Sequence, residues 1–446
     1  MTQWQAIPQL ALLKIFDYLD PTARFAASST CSQWRSCLFR KRYFENFPFH
    51  INVANDAQLS FFRLRISGVA KEIVIEFDFR NVAHIQKMRR LLYKVARCDN
   101  IRGLRFKTHN VGLVAVGDVH NEQQIDIEQC FVEPLKLFLS RRQMPCQLLD
   151  LGAIEALTYY GLDFLKALGK PQELQELTLA SIKYDPSHYP ILAMDTTLLQ
   201  KCAGLQVLSL DYDTLSDELL HTIQVLPLRK LLIAVHGLDG EHDGVSEQAW
   251  ANFAWHFRGI EVILTLVYAL EAIEQLQFRI LRRNMPLTHV RMLFCDYMNL
   301  DALEWMSVHN SETLRSIYYV DSTSNHSSRT HMRDMTRSIG RDPFVMMTWR
   351  CAQLREIVVH GYIMDPHNVV GMARLRGRQL ERLEVSLVDM SGWNEQGFKE
   401  EISTQLGRQW SPIDLDDLHP ALGCDLFFEE KRDKFVYELM RQDLSN

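Results

Sequence analysis

One spacing, apolar-x-x-apolar-x-apolar, recurs along nearly the whole chain and limits what these 446 residues can fold into. Clear copies are Ile101-Leu104-Phe106, Leu174-Leu177-Leu179, Leu205-Leu208-Leu210, Leu228-Leu231-Ile233, Leu287-Val290-Met292, Leu314-Ile317-Tyr319, Leu354-Ile357-Val359 and Leu380-Leu383-Val385. Weaker ones fall at Ala70-Ile73-Ile75, Cys146-Leu149-Leu151 and Ile260-Ile263-Thr265. From Cys146 onward the copies start 28, 31, 23, 32, 27, 27, 40 and 26 residues apart. Within a copy, alternate residues point the same way, which predicts a short strand with one buried face. Amphipathic helical stretches such as Asp217–Ile223 and Leu162–Leu168 lie between copies. One strand and one helix cannot bury their own apolar faces. Stacked units can, as a parallel sheet lining a curved solenoid. An ordinary α/β domain with similar buried strands is the competing reading, and eight clear copies of one spacing disfavour it.

The steps sit in or near the range of leucine-rich repeats, which these copies resemble. That family commonly places Asn or Cys three residues after the last apolar position. Here only Cys295 stands there; other copies offer Asp213, His236, Ser322 or Tyr362. The repeats therefore resemble the irregular, ribonuclease-inhibitor-like class. The resemblance implies a concave face displaying Glu176, Thr178, Val207, Ser209, Asp211, His289, Arg291, Ser316, Tyr318, Glu356, Val358, His360, Arg382 and Glu384. Both charge signs mixed with Tyr and His suit a protein surface better than a phosphate backbone. Arg291, Tyr318 and His360 are the favoured substrate contacts, since few residues of an interface carry its energy.

The N-terminus follows a different pattern. Pro8 suits a first helical turn, and Leu12, Leu13, Ile15, Phe16 and Leu19 then form a broad apolar stripe. Asp20-Pro21 stops that helix, Thr22 is placed to cap a second one, and Cys31, Trp34 and Leu38 restart a helical stripe. Three short helices are not expected to bury Phe16, Phe25 and Trp34 unaided, so the segment needs a partner surface. A plain helical cap on the larger domain is the alternative.

This segment resembles an F-box, the adaptor-binding element of ubiquitin-ligase substrate receptors. Ile7-Pro8 stands at the family's Leu-Pro pair, Leu12 at its second leucine, Ile15-Phe16 at its Ile-Phe pair, and Leu19 at the next apolar position. Asp20-Pro21 matches directly, and Cys31-Ser32-Gln33-Trp34 matches the Cys-x-x-Trp element. Leu10 departs from the usual acidic residue, Ala11 from a leucine and Thr30 from an apolar residue. The first two are expected to weaken the adaptor contact. The resemblance covers about a tenth of the chain. It implies that Ile7, Pro8, Leu12, Ile15, Phe16, Leu19 and Trp34 dock on, or shape, the surface for a Skp-type adaptor, and through it a cullin.

The expected fold is thus α/β: a helical F-box over residues 1–50, an irregular leucine-rich-repeat solenoid over 51–409, and a C-terminal cap or tail over 410–446. The expected function is the substrate-recognition subunit of a Skp–cullin–F-box ubiquitin ligase, with the repeats binding a protein substrate. The alternative is a leucine-rich-repeat scaffold that uses its F-box for assembly without ubiquitin transfer. Two segments interrupt the pattern. The polar stretch 321–341 accounts for the 40-residue step and reads as a disordered insertion or a loop reaching the concave face. The tail from Trp410 is expected to cap the open end of the solenoid, in preference to forming a second partner site.

Catalysis finds no motif. The nine cysteines are dispersed without a C-x-x-C pair or zinc spacing, which suits reduced thiols in a cytoplasmic or nuclear protein. There is no P-loop, G-x-G-x-x-G or G-x-S-x-G, and no cofactor or metal is expected. The most apolar run, Val262–Leu270, is far shorter than the ~20 residues of a spanning helix. Met1–Gln5 offers no basic stretch before a signal-like core, so neither secretion nor a membrane is expected. Short basic clusters within a net charge of −6 give no nucleic-acid footprint.

Overall fold

The computed structural model describes residues 7–44, 48–79, 81–108, 126–322, 342–414, 416–423 and 429–445. Within them the chain forms one sheet of twelve strands: β1 Phe49–Asn52, β2 Glu72–Phe77, β3 Gly103–Thr108, β4 Leu148–Asp150, β5 Glu176–Thr178, β6 Val207–Asp211, β7 Lys230–Val235, β8 Glu261–Val267, β9 Leu287–Leu293, β10 Ser316–Val320, β11 Glu356–Met364 and β12 Arg382–Val388. Strand order follows chain order, and every pairing is parallel. Each turn of the chain thus stacks on its neighbours in sequence, as a repeat architecture requires.

The register shows why the apolar spacing produces this. Phe49, Ile73, Leu104, Leu149, Leu177, Leu208, Leu231 and Val262 face one another across successive strands. Past a register shift, Leu264, Val290, Ile317, Ile357 and Leu383 continue the column. All of these residues are buried, so the middle position of the motif forms a continuous apolar ladder under the helices. The helices form the second layer. Val82–Ala96 packs on Glu133–Leu139, and Leu300–His309, Pro343–Arg350, Pro366–Arg376 and Glu395–Leu406 pack on one another in turn.

Most of these helices open on a polar cap. Asn81, Asp195, Ser216, Ser246, Asn299, Asp342, Asp365 and Asn394 each accept from backbone N–H groups of the first turn. Asn299 also donates to the Ile273 carbonyl of the preceding unit at 2.7 Å. The turn polarity that the motif omits is met in part by Asp321, which accepts from the Asp296 backbone at 2.8 Å and from the Tyr362 hydroxyl at 3.0 Å.

All eleven copies of the spacing fall on or overlap strands β2–β12. Two details differ from the sequence reading. β1 was not foreseen, and it spans the boundary expected between residues 50 and 51. In β8 the copy at Ile260-Ile263-Thr265 is one residue out: the register places Val262 and Leu264 inward, opposite Leu231 and Ile233. Both parities of Val262–Val267 are apolar except for Thr265, and the spacing falls on the parity that contains Thr265.

The expected end cap is only part of what the tail does. Trp410 donates its indole N–H to the Leu383 carbonyl at 2.7 Å, and the Ile413 N–H bonds to the Val385 carbonyl at 2.9 Å, so this stretch covers β12. The C-terminal helix Glu429–Ser445 does not cap the end. It lies across the open face of the sheet, touching strands from β3 to β9. The insertion expected at 321–341 lies, beyond Ser322, outside the described residues.

Candidate functional site

The first candidate surface is the N-terminal helical module. Its helices are α1 Gln9–Tyr18, α2 Pro21–Ser28 and α3 Ser32–Leu38, followed by a short 3-10 turn Lys41–Phe44. Pro8 precedes α1, and Asp20 caps α2 by accepting from the Ala23 N–H at 2.8 Å. The module closes around Phe16, whose ring lies 6.0 Å from Trp34 and 6.2 Å from Tyr43. Tyr43 reaches back to α1, donating to the Leu13 carbonyl and the Asp17 carboxylate. Arg24 donates to the Phe16 carbonyl, and Gln33 to that of Ile7. Phe25 rests on Phe44 and Phe49, which joins the module to β1.

These contacts sort the seven adaptor candidates. Leu12 and Phe16 are fully buried and shape the module rather than presenting a contact. Ile7, Ile15, Leu19 and Trp34 are half-buried, and Pro8 is exposed. The expectation that the module cannot bury Phe16 is corrected by Tyr43, which lies beyond the motif and closes the pocket. Pro8, just before α1, and Ala11, Ile15 and Tyr18 fall at steps of three and four on one face, of which Pro8, Ala11 and Tyr18 are exposed and Ile15 is half-buried against the core. Tyr18 is 91% exposed, and the motif gave no reason to select it. Leu10, also exposed, sits on the opposite side beside Lys14 and Asp17, while Ala11 lies within the stripe.

The second surface is the open face of the sheet. Arg291 and Tyr318 are register partners, with the guanidinium 3.9 Å from the ring centroid. From the other side, Arg382 donates to the Tyr318 hydroxyl at 2.6 Å and grips Glu384 through two bonds of 2.6 and 2.8 Å. His360 lies 3.7 Å from Glu384. The face therefore brings all three favoured substrate residues into one network, but buries each of them. Burial opposes the Glu384 carboxylate, yet His360 and Arg382 outweigh it and bring its pKa down to about 2. Burial, reinforced by Glu356 and opposed by the two arginines, pushes the Tyr318 hydroxyl up to about 12.

The C-terminal helix accounts for much of that burial. Its inner stripe is Arg432, Val436, Tyr437, Met440, Asp443 and Leu444, spaced for one helical face. Asp443 accepts two bonds from Arg291, at 2.9 and 2.7 Å, and its carbonyl accepts from Lys230. Tyr437 donates to the Phe106 carbonyl at 2.8 Å and lies beside Asp150, which Arg441 approaches at 3.8 Å. Lys107 pairs with Glu438 at 3.2 Å. Tyr268 and Phe294, stacked at the ends of β8 and β9, hold positive φ angles of 53° and 55°. Tyr268 donates to Asp433, and Phe294 packs edge-on against Phe435. A cavity of about 430 Å³ opens beside the helix over β10–β12, lined by Tyr318, Val358, His360, Glu384, Phe435 and Leu439 among others. The His360 Nδ1 atom at its wall has no hydrogen-bond partner among the described residues.

Sequence reasoning missed Arg105 and Asp150, which also face this side. Arg105 binds Glu176 in bidentate fashion, at 2.5 and 3.0 Å, and lies 3.5 Å from Asp150. Both belong to strands with copies of the spacing, and counting alternate positions there would have found them. At the ends of β5–β7 a separate buried network braces the 183–195 loop. Lys183 pairs with Asp211 at 2.6 Å, and Tyr189 donates to Asp213. Among the described residues no helix is long and apolar enough to cross a membrane.

Residues 4–45 match the family described as F-box-like. The chain is 20% identical over 472 residues to the human protein named F-box only protein 33, with 93% of this chain and 84% of that protein covered. The mouse protein of the same name is 21% identical over 487 residues, with the same coverage. Among solved structures, the yeast one titled "Crystal structure of Rad7 and Elc1 complex in yeast" is similar with a TM-score of 0.41 and 11% identity, over 88% of this chain and 91% of that one. That likeness is too loose to support an assignment. The N-terminal module is F-box-like, and the sheet is a parallel repeat array of mixed α/β structure.

Proposed function

We propose that this chain is the substrate-recognition subunit of a Skp–cullin–F-box ubiquitin ligase. In this reading α1 docks on a Skp-type adaptor that links to a cullin, and the sheet, an irregular leucine-rich-repeat solenoid, binds a protein substrate. The observation that carries it is the outward stripe Pro8, Ala11, Ile15 and Tyr18. A helical cap of the ordinary kind would turn its apolar face onto its own domain. Here the module closes over Leu12 and Phe16 and still leaves Pro8, Ala11 and Tyr18 of a second face exposed beside the half-buried Ile15, which suits a partner surface. The F-box-like match and the similarity to F-box only protein 33 support the same reading. Such a receptor performs no bond chemistry itself. It holds a substrate lysine near a charged conjugating enzyme, raising the effective concentration. Free cysteines at eight described positions suit the reducing cytoplasm or nucleus.

The test separates docking from folding. Ala11→Asp combined with Tyr18→Ala, both at exposed positions, is expected to reduce adaptor recovery at least about tenfold, with thermal unfolding close to wild type because surface changes cost little. Phe16→Ala is expected instead to destabilise the module by about 3–5 kcal/mol through the cavity it leaves. Undiminished adaptor recovery by the stripe variant would sink the reading. Adaptor recovery without cullin, or without ubiquitylation of any bound protein, would favour the scaffold alternative.

A further inference from the structure

The C-terminal helix and the face beneath it differ from the rest of the molecule in one respect. Between the sheet and its helical layer the contacts are apolar, as the ladder from Phe49 to Leu383 shows. Beneath the C-terminal helix the sheet also presents Arg105, Lys107, Asp150, Lys230 and Arg291, and the helix answers with Tyr437, Glu438, Arg441 and Asp443 set among the apolar Val436, Met440 and Leu444. A face that must always be covered gains most from apolar residues. Charged positions can be rehydrated, and a desolvated ion pair returns little net free energy over its separated, hydrated members. This seam thus costs less to uncover at its charged positions than an all-apolar one would. It is also specific: Arg291, 2% exposed, is met by both oxygens of Asp443, and two aromatic residues hold left-handed backbones where they meet Asp433 and Phe435.

Resting on the receptor reading above, we infer that the open face spanning β3–β9 is a helix-reading groove. The partner it fits is an amphipathic helix of a substrate protein that carries a tyrosine, an apolar residue three positions on and an aspartate six positions on, as Tyr437, Met440 and Asp443 do. The C-terminal helix is the tethered internal competitor for that site. Arg291 reads the carboxylate, and the Phe106 carbonyl reads the phenol hydroxyl. The tether keeps the internal copy at an effective concentration in the millimolar range, so a free helix of equal affinity is excluded until the internal one is released.

The experiment uses the full chain and a fluorescent synthetic peptide of residues 429–445. Wild-type chain is expected to show no binding of micromolar peptide. Asp443→Lys is expected to raise hydrogen exchange across 429–445 at least about tenfold while the strands keep their protection, and to admit the wild-type peptide. A peptide carrying Asp443→Lys should fail to bind that variant. Arg291→Asp together with Asp443→Lys should restore protection of the helix. Unchanged exchange in Asp443→Lys overturns the inference, as does a released helix whose vacated face ignores the wild-type peptide. Loss of strand protection along with the helix overturns it too, by making the helix an integral part of the core. Concentration-dependent dimers of wild type with the groove filled would assign it to a second copy and overturn the partner assignment. Adaptor recovery is measured on the same proteins; its failure counts against the receptor reading and leaves the groove result standing.

Discussion

Glu384 on the last strand sits beside Arg382 and His360, and its environment makes a pH prediction. Its pKa falls from 4.5 to about 2 in the folded chain. A depressed carboxylate contributes stability that is complete above the unfolded value and is lost as pH falls through the folded one. The stability difference between wild type and Glu384→Gln should therefore be constant above about pH 5 and shrink between pH 4.5 and 2. Denaturant unfolding of both proteins across that range measures it; a pH-independent difference would show that Arg382 and His360 do not act on its charge. The same neighbourhood shows what residue type and position alone conveyed. Arg291, Tyr318 and His360 were legible as members of one face because alternation in a strand assigns faces. The burial of Arg291 was not legible, since its guanidinium is covered by Asp443, 152 residues further on. Likewise, Phe16 and Ile15 are adjacent in one motif, yet one is the module's fully buried core and the other is half-buried at its edge. A motif records both without separating them.

At the scale of elements, the strand spacing was informative because each copy repeats the same burial problem. β1 escaped because Phe-His-Ile-Asn is a four-residue strand without the x-x step that precedes the other copies. The C-terminal helix was legible as a helix but not as a docked one, because Arg432 and Asp443 occupy its buried stripe and make that face read as polar. β11 holds the sharpest local constraint. Gly361 has φ +82° at a bulge between Val359 and Ile363, and a Cβ there would lie 2.6 Å from the Asp321 carbonyl oxygen. Backbone and close approach both require glycine. Gly361→Ala should cost more than about 1 kcal/mol, seen as a lowered denaturant midpoint with unchanged slope. A midpoint equal to wild type would mean that the bulge relaxes freely, and that Asp321 need not keep its bonds to Asp296 and Tyr362.

For the molecule as a whole, an all-parallel sheet of this length has two open edges, each a template for pairing with another copy. The chain closes both with its own groups. At the first edge, the Gln58 side chain accepts from the Asn52 N–H at 2.8 Å, and the helix Asp56–Phe61 packs on β1. At the last edge, Ile413 and Trp410 donate to the carbonyls of Val385 and Leu383. Removing residues 1–50 to isolate the repeats would cut through β1 and open the first edge, so point substitutions on α1 are the cleaner way to separate adaptor docking from folding. The last edge can be tested without truncation. Ile413→Pro removes the backbone donor, along with the Ile side chain that packs on the core, and Trp410→Phe removes the indole N–H while keeping most of the ring surface. Each leaves one carbonyl of β12 unpaired, at a cost of about 1–3 kcal/mol. The double variant should unfold at lower temperature and show concentration-dependent self-association by light scattering, whereas wild type at the same concentration should not. If the variant stays monomeric, the edge is protected by the bulk of the tail and not by its hydrogen bonds. Proline at 412 would then already suffice to keep a second strand from adding to β12, since it offers no N–H for a neighbouring ladder.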